Sequence, residues 1–281
     1  MGTTKLAVIT GAMGALGMPI ATELARRGYR VVLVGRDAER LSAACARVEE
    51  ASKGAAESLV CDLSSQASIR TAAAELLKRH PVIDLLVNNV ATFTGTRRAS
   101  PDGHELMLAT NHLAPFLFTL LLKDALFAAK DARVVCMTMG SNKPPVLDDL
   151  ESERKFKALD TLFVTKGMNH FFVRELAERW KGKVSVFAVN PDMTRTTLVK
   201  EAPLPLRIVF ALFGQTPEKA KAGAIHAATS AELTGRTGLY FGKKKHETFM
   251  TESGNEALRA QLWDLSAKLV GLGTPDQGAV A

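Results

Sequence analysis

The sequence predicts one α/β domain in which a parallel β-sheet is covered by helices on both faces. Short apolar runs alternate with helical stretches along the chain, and a glycine-rich segment lies at the first junction between them. The 281 residues are 47% hydrophobic, which is enough for one large core. Strict alternation of strand and helix favours right-handed crossovers, so we expect a Rossmann-type, doubly wound sheet.

Each predicted strand is an apolar run of the length expected for a strand buried on both faces. The runs are KLAVIT at 5–10, YRVVLVG at 29–35, AESLVCDL at 56–63, IDLLVNN at 83–89, ARVVCMTM at 132–139, KVSVFAVNP at 183–191 and TGLYFG at 237–242. Helices are expected between them, up to about Arg27 and then near 37–51, 65–79, 101–129, 156–180, 217–230 and 255–272. Ligands bind such sheets beyond the carboxyl ends of the strands, so we expect the functional side chains there.

Composition argues against several other classes of protein. The net charge of +7 is spread among interleaved acidic and basic residues, which predicts a solvated surface and no nucleic-acid partner. The three cysteines, Cys45, Cys61 and Cys136, lack metal-ligand spacing, so no metal site is expected. Their low, odd number is typical of a reducing cytoplasm. The N-terminus enters a strand at once and no apolar run spans a bilayer, so we expect a cytoplasmic protein without an integral membrane segment.

The segment TGAMGALG follows the first strand and opens the first helix. Glycines at this junction allow a tight turn and a close approach of the backbone to a pyrophosphate, which the helix N-terminus faces. A turn without a ligand is the alternative. We predict that the loop binds a dinucleotide through Gly11, Met13, Gly14, Ala15, Leu16 and Gly17.

The ends of the second and third strands indicate which dinucleotide is bound. A site that recognises the ribose 2′-hydroxyl of NAD needs a carboxylate at the end of strand two, but Gly35 occupies that position. Arg36 follows and could meet a 2′-phosphate, which favours NADP(H) over NAD; Asp37 argues the other way unless it caps the next helix. Asp62 either accepts from the adenine amino group or caps the helix after it.

Several longer motifs resemble the short-chain dehydrogenase/reductase (SDR) family, over roughly residues 5–272. Within the family, the likeness is to the retinol-dehydrogenase-like and WW-domain-oxidoreductase-like branch. The matching segments are IDLLVNNVA at 83–91, DGHELMLATNHLAPFLFT at 102–119, KGMNHFFVREL at 166–176, NPDMTRT at 190–196, and TPEKAKAGAI, TGLYF and LWDLS in the C-terminal third.

The resemblance implies hydride transfer between NAD(P) and a carbonyl or alcohol, carried by an Asn, a Ser, a Tyr and a Lys. It matches the asparagine to Asn111 and the lysine to Lys166. The tyrosine donates the proton, the lysine lowers its pKa, the serine orients the carbonyl and the asparagine holds a water. Further cofactor contacts are implied for residues at the strand ends and in the helix predicted near 156–180. These are Leu63, Asn89, Lys166, Pro191, Thr194 and Thr196.

The resemblance also implies an NADP-binding domain at 1–272, with a substrate lid around 197–216. The residues GTPDQGAVA at 273–281 predict a flexible tail. The lid holds PLPLRIVFALFG at 203–214, whose apolarity suggests a hydrophobic substrate or a helix that rests on a partner or a membrane surface. Subunits of this family often associate through the helices after strands four and five, so from the resemblance we expect a homodimer or homotetramer.

The chain departs from the family pattern at the site itself. Leu162 stands at the tyrosine position and Met139 at the serine position. Two nearby polar residues, Ser141 and Asp160, are therefore further candidates for catalytic roles. His112 and His170 are expected to be packed helix histidines.

The cofactor loops depart as well. Ala15 replaces the middle glycine of the first loop, and Val90-Ala91 replace an Ala-Gly pair. Asp192 replaces the glycine after Pro191, where its carboxylate would repel a phosphate or stabilise a cationic ring or amine. Several changes at the site, with the core pattern kept, suggest a scaffold whose chemistry has changed.

Three hypotheses follow. The first is an atypical NADP(H)-dependent oxidoreductase of a hydrophobic small molecule that reduces an activated C=C bond or an iminium, with protonation by substrate or by a water ordered by Lys166 and Asn111. The second is a non-redox enzyme on the same scaffold, such as a cyclase, isomerase or dehydratase of a biosynthetic pathway. The third is a catalytically silent NADP-binding or partner-binding protein.

Overall fold

The computed structural model describes residues 4–141, 143–196, 198–242, 246 and 248–273. Its centre is a seven-stranded parallel sheet in the order β3-β2-β1-β4-β5-β6-β7. The strands are β1 (Leu6–Thr10), β2 (Arg30–Gly35), β3 (Ala56–Val60), β4 (Leu85–Asn88), β5 (Ala132–Met137), β6 (Val184–Val189) and β7 (Leu239–Phe241). Every residue of β1, β4, β5 and β6 is buried, because helices cover both faces. The predicted fold class is confirmed.

The helices follow the predicted alternation. They are α1 (Gly17–Arg26), α2 (Ala38–Ser52), α3 (Gln66–Arg79), α4 (Leu106–Leu108), α5 (Ala114–Leu121), α6 (Lys123–Phe127), α7 (Ala158–Arg179), α8 (Leu204–Phe213), α9 (Pro217–Ala220), α10 (Ala222–Thr229) and α11 (Glu256–Leu269). Helices α1, α2 and α10 pack on one face of the sheet, and α3, α5, α7 and α11 share the core of the other. Among the described residues, no helix combines the length and the hydrophobicity needed to cross a membrane.

The single helix predicted at 101–129 is wrong in detail. The structure divides the region into α4, a π-helical turn at Ala109–Leu113, α5 and α6. A π-turn adds one residue to the usual spacing and shifts the side chains that follow it. Asn111 lies inside this turn, so the irregularity falls at a predicted site residue. Neither composition nor apolar periodicity marks it.

Helix α11 lies across α5 and α7, the helices that lead away from β4 and β5. Trp263 packs edge-on against Phe116, with 4.8 Å between ring centroids, and stacks near Phe172. Ser266 meets the buried His112, whose Nε2 lies 2.8 Å from the serine Oγ. In the described part of the chain, the C-terminal helix therefore packs onto both α5 and α7.

The predicted lid is partly described. A 3₁₀ turn at Leu198–Glu201 leads through Ala202 and Pro203 into α8, and residue 197 lies outside the described residues. Of the predicted tail, Gly273 is described and residues 274–281 lie outside the described residues.

Candidate active site

The glycine loop lies at the carboxyl end of β1, against the end of β4. Gly11 has φ +61°, and a Cβ placed there would lie 2.9 Å from the Val90 Cα. A Cβ on Gly17 would lie 2.6 Å from the Ala12 Cα and from the Gly11 carbonyl oxygen. Backbone contacts this short leave no room for a side chain, so both positions require glycine. A Cβ on Gly14 would have one close contact, 3.1 Å from the Gly11 oxygen.

Helix α1 begins at Gly17, and no side chain caps its first amide groups. An uncapped helix N-terminus carries partial positive charge and amide hydrogens that favour an anion. Ala15 and Leu16 are half-buried beside it and Gly14 is exposed. Met13 packs behind the loop, with its Cγ 3.6 Å from a Cβ placed on Gly35. The loop is therefore a backbone cradle that fits a dinucleotide pyrophosphate.

The ends of β2 and β3 contribute two acids and one base. Asp37 caps α2, because its Oδ1 accepts from the Arg40 amide at 3.0 Å, whereas Arg36 is exposed beside the loop. The Asp62 Oδ1 accepts from the Ser64 amide at 3.0 Å and from its hydroxyl at 2.7 Å. Asp62 is therefore not the cap of α3; Ser65 is. Leu63, next in the chain, is buried.

The end of β4 is tied to the glycine loop by Asn89. Its Nδ2 donates to the carbonyl oxygens of Thr10 and Gly11, both at 3.1 Å. Its backbone amide donates to the Thr10 hydroxyl at 3.0 Å. Asn89 thus holds two neighbouring loops together.

Lys166 extends from the middle of α7 towards the same loops. Its side chain is buried, and the Nζ lies 3.4 Å from the Val90 carbonyl oxygen. Burial disfavours the charged ammonium and lowers the pKa of Lys166 from 10.5 to about 8. The Thr138 hydroxyl donates to the Lys166 carbonyl at 2.6 Å, which fixes α7 against β5.

Asn111 is buried, and its side chain is engaged at both ends. The Oδ1 accepts from the Thr92 amide at 2.7 Å, and the Nδ2 donates to the Thr92 carbonyl at 3.0 Å and to the Thr165 hydroxyl at 3.2 Å. The Asn111 carbonyl accepts from the Asn169 Nδ2 at 3.0 Å. Asn111 therefore links the π-turn, the loop after β4 and α7.

An apolar cluster occupies the place where the resemblance puts the acid and the hydroxyl. Leu162 is 3% exposed and packs with Phe93 and Met107. Met139 packs against the same cluster. The lid closes the cluster from outside through Leu198, Leu206 and Phe210. We call this set the lid cluster. Leu162 lies one helical turn before Lys166 on α7, so the cluster is an apolar wall beside the lysine.

The remaining candidate catalytic residues, Ser141 and Asp160, both contact Lys143. The Asp160 Oδ1 is 2.5 Å from the Lys143 Nζ, and both side chains are nearly half exposed. The Ser141 Oγ accepts from the Lys143 amide at 3.2 Å. His170 is packed: its Nε2 donates to the Met139 carbonyl at 3.1 Å and its Nδ1 accepts from the Met250 amide. Burial lowers the pKa of His170 to about 4, so the ring is neutral at pH 7.

The loop after β6 forms the base of the lid. Asp192 has φ +54°, a conformation that Asp tolerates better than most residues, at the position where the family resemblance predicts glycine. The buried Thr194 hydroxyl contacts the carbonyls of Pro191 and Asp192 at 3.0 and 3.1 Å. The Thr196 Oγ1 accepts from the Leu198 amide at 3.2 Å. Gln215, after α8, donates to the Pro191 carbonyl and closes the lid onto its base.

Sequence reasoning missed several residues that build the site. Thr165 and Asn169 share one helical stripe with Leu162 and Lys166, so spacing of three and four residues on α7 could have found them. Phe93, Met107 and Gln215 join the site through loops and the lid, and sequence spacing carries no signal for such contacts.

Known proteins resemble this chain both in sequence and in fold. A family model described as short chain dehydrogenase matches residues 5–147. Human retinol dehydrogenase 14 is 33% identical over 95% of this chain and 87% of the relative. An uncharacterized protein from Mycobacterium paratuberculosis has the same fold, with a TM-score of 0.74 at 24% identity, covering 97% of this chain and 95% of that chain. A metagenomic short-chain oxidoreductase in complex with NADP gives a TM-score of 0.60 at 27% identity, covering 81% and 92%.

The buried ammonium of Lys166 predicts a pH dependence of stability. Between about pH 8 and 10.5 the unfolded chain binds the lysine proton and the ligand-free folded chain does not, so the contribution of Lys166 to the free energy of unfolding rises with pH. The full rise is about 3 kcal/mol, at about 1.4 kcal/mol per pKa unit. The buried thiols of Cys61 and Cys136, whose pKa values burial raises to about 11 and about 12, act in the opposite direction above about pH 9, so the test is the difference between variant and wild type. Replacing Lys166 with Met should make this difference change by about 3 kcal/mol between about pH 8 and 10.5, as measured by urea denaturation at half-unit pH steps.

The matched control for this prediction is Lys181→Met, at an exposed lysine just beyond α7. Its stability curve should run parallel to that of the wild type over the whole pH range. A Lys166→Met curve that also runs parallel to the wild type would show that burial does not lower the pKa of this lysine.

Proposed function

The chain belongs to the short-chain dehydrogenase family of oxidoreductases, and we propose that it is an NADP(H)-dependent reductase of a hydrophobic small molecule. The bond reduced is an activated C=C bond or an iminium. The observation that carries this proposal is the lid cluster. Leu162 and Met139 stand in an apolar wall next to Lys166, where reduction of a plain ketone needs a proton donor and a hydroxyl.

The cofactor loops fit a dinucleotide. Gly11 and Gly17 leave the backbone bare, and the uncapped N-terminus of α1 would hold the pyrophosphate. Asp62, Leu63 and Asn89 are proposed to border the adenosine and its ribose. When bound, NADPH supplies the hydride. The exposed Arg36 supports NADP over NAD, because the carboxylate of Asp37 is engaged as a helix cap.

The apolar wall, which has no proton donor, limits the kinds of bond to which hydride can be added. Hydride addition to a plain ketone places negative charge on oxygen, which is costly without a donor in an apolar pocket. Hydride addition to an iminium carbon neutralises the cation and yields an amine without any proton. In a conjugated C=C bond, hydride adds to the β-carbon and gives an enolate, whose negative charge is shared between the oxygen and the α-carbon and which is less basic than an alkoxide. Water then protonates the α-carbon. Both reactions fit Leu162 at the tyrosine position.

The residues around the lid cluster are proposed to have four roles. Lys166 would bind the nicotinamide ribose and lend positive charge beside an enolate, since its ammonium persists below about pH 8. Asn111 is a positioning residue, because both ends of its amide hold Thr92 and Thr165. Pro191, Thr194 and Thr196 would border the nicotinamide at the base of the lid. Ser141 and Asp160, near Lys143, would meet the polar end of a substrate.

A substrate panel tests the proposal directly. Purified protein with NADPH should reduce hydrophobic enals, enones or cyclic iminium ions, and rates with saturated ketones of the same length should be lower by a factor of about 100 or more. The measurement is NADPH absorbance combined with product mass. Turnover of the same substrates without NADPH would instead indicate a non-redox enzyme and contradict the proposal.

Arg36 predicts cofactor preference. Replacing it with Ala should weaken NADPH binding by about 10- to 100-fold, the value of one charge-assisted contact to a phosphate, and leave NADH binding unchanged. Fluorescence titration measures both. The control is Arg47→Ala, an exposed arginine later in α2. Equal losses for NADPH and NADH in the Arg36 variant would contradict the assignment.

The assigned register predicts a gain of activity. The Met139→Ser, Leu162→Tyr double variant should reduce plain ketones with NADPH, because it restores a hydroxyl and a proton donor at the wall. The matched control, Met139→Ser with Leu162→Phe, adds the same ring without the hydroxyl and should stay inactive. Absence of ketone reduction in a folded, NADPH-bound tyrosine variant would show that Leu162 is not at the acid position.

A further inference from the structure

Helix α8 exposes a continuous apolar surface. Five large hydrophobic residues stand out from this ten-residue helix, with exposed fractions of 62% for Leu204, 47% for Ile208, 37% for Val209, 65% for Leu212 and 75% for Phe213. Leu204, Ile208 and Leu212 follow one another at spacings of four, and Val209 and Phe213 lie beside them. Single exposed hydrophobic residues are ordinary, but five on one face of a short helix indicate a surface that another molecule covers.

The opposite face of α8 is already occupied. Leu206 and Phe210 point inward and complete the lid cluster. The helix therefore has one apolar face towards the candidate active site and one towards solvent. No residue of α8 is fully buried, so the chain itself leaves the outer face uncovered in the described structure.

Three exposed cations lie on α8 or near its two ends. Arg207 is exposed and is the one charged residue of α8. Arg195 is exposed at the far end of the helix, where its Nη2 donates to the Leu212 carbonyl at 3.4 Å. Lys200 is exposed in the turn before α8. The acid of that turn, Glu201, pairs with Arg98 at 2.8 Å. Positive charge at the rim of the apolar face complements an anionic surface.

We propose that α8 docks on an anionic phospholipid surface, with its outer face in the boundary between headgroups and acyl chains. Leucine, isoleucine and phenylalanine on one face with lysine and arginine at its edges are typical of interfacial helices. The outer face is apolar along the length of the helix and the one charged residue of the helix is a cation, which favours an anionic lipid surface as the occupant. The inference goes beyond the proposed function and does not depend on it, because it concerns binding without substrate or cofactor.

Vesicle sedimentation tests the proposal. Wild-type protein should sediment with vesicles of phosphatidylcholine and phosphatidylserine. The Leu212→Gln, Phe213→Gln variant should bind them about 100-fold more weakly, since each buried side chain contributes at least about tenfold. Both side chains are exposed, so the variant should unfold at the wild-type temperature. The matched control is Val82→Gln, at an exposed valine at the other end of the sheet, which should bind as wild type.

Charge and self-association give separate readouts. Arg207→Gln should weaken binding to anionic vesicles by roughly fivefold and leave the weaker binding to pure phosphatidylcholine unchanged. Wild-type protein that stays in the supernatant would overturn the proposal, as would a glutamine double variant that sediments as wild type. A wild-type dimer that the double variant abolishes, without vesicle binding, would assign the face to a second copy and also overturn it.

Discussion

The close approach of the loops after β1 and β4 is the contact on which the candidate site depends. The strand order reverses here, because the chain runs from β1 outward to β3 and then returns to place β4 on the other side of β1. Gly11 lies so near Val90 that a side chain would collide with its backbone, and Asn89 bonds to the carbonyls of Thr10 and Gly11. The Lys166 ammonium reaches Val90 as well. The backbone at Val90 thus contacts both the glycine turn and the Lys166 side chain.

Matches to the family's catalytic asparagine and lysine do not by themselves imply the family's reaction. Asn111 lies in the π-turn, and its side-chain amide bonds to both the N–H and the carbonyl of Thr92. Removing it would leave these two backbone groups without this partner. It has a structural reason to be present whatever the chemistry. Lys166 differs, because burying an ammonium beside one carbonyl costs stability and is hard to explain as packing. The lysine therefore carries more functional information than the asparagine.

Sequence reasoning predicted the sheet well because its signal is local. Buried parallel strands are continuous apolar runs, and the glycine loop is set by short-range backbone geometry. The π-turn at Ala109–Leu113 and the packing of Trp263 over α5 and α7 were not predicted, since they depend on contacts between distant segments. The apolarity of the lid was evident in the sequence. That Leu206 and Phe210 point inward while Leu212 points outward depends on where the helix lies against the body of the protein.

Both faces of α8 are apolar, and this property bears both on which substrates the site accepts and on where the protein binds. The inner face packs on the apolar cluster around Leu162. Apolar surroundings raise the cost of the negative charge that develops on a carbonyl oxygen when its carbon receives hydride. They therefore favour molecules that are mostly hydrocarbon and reactions that need less acid assistance at oxygen than ketone reduction does. Such molecules partition into lipid, and the outer face is apolar with cations at its edge. A lid that is apolar on both sides would let a lipid-dissolved substrate reach the pocket without crossing water. The absence of the acid and the exposure of α8 then have a single physical explanation.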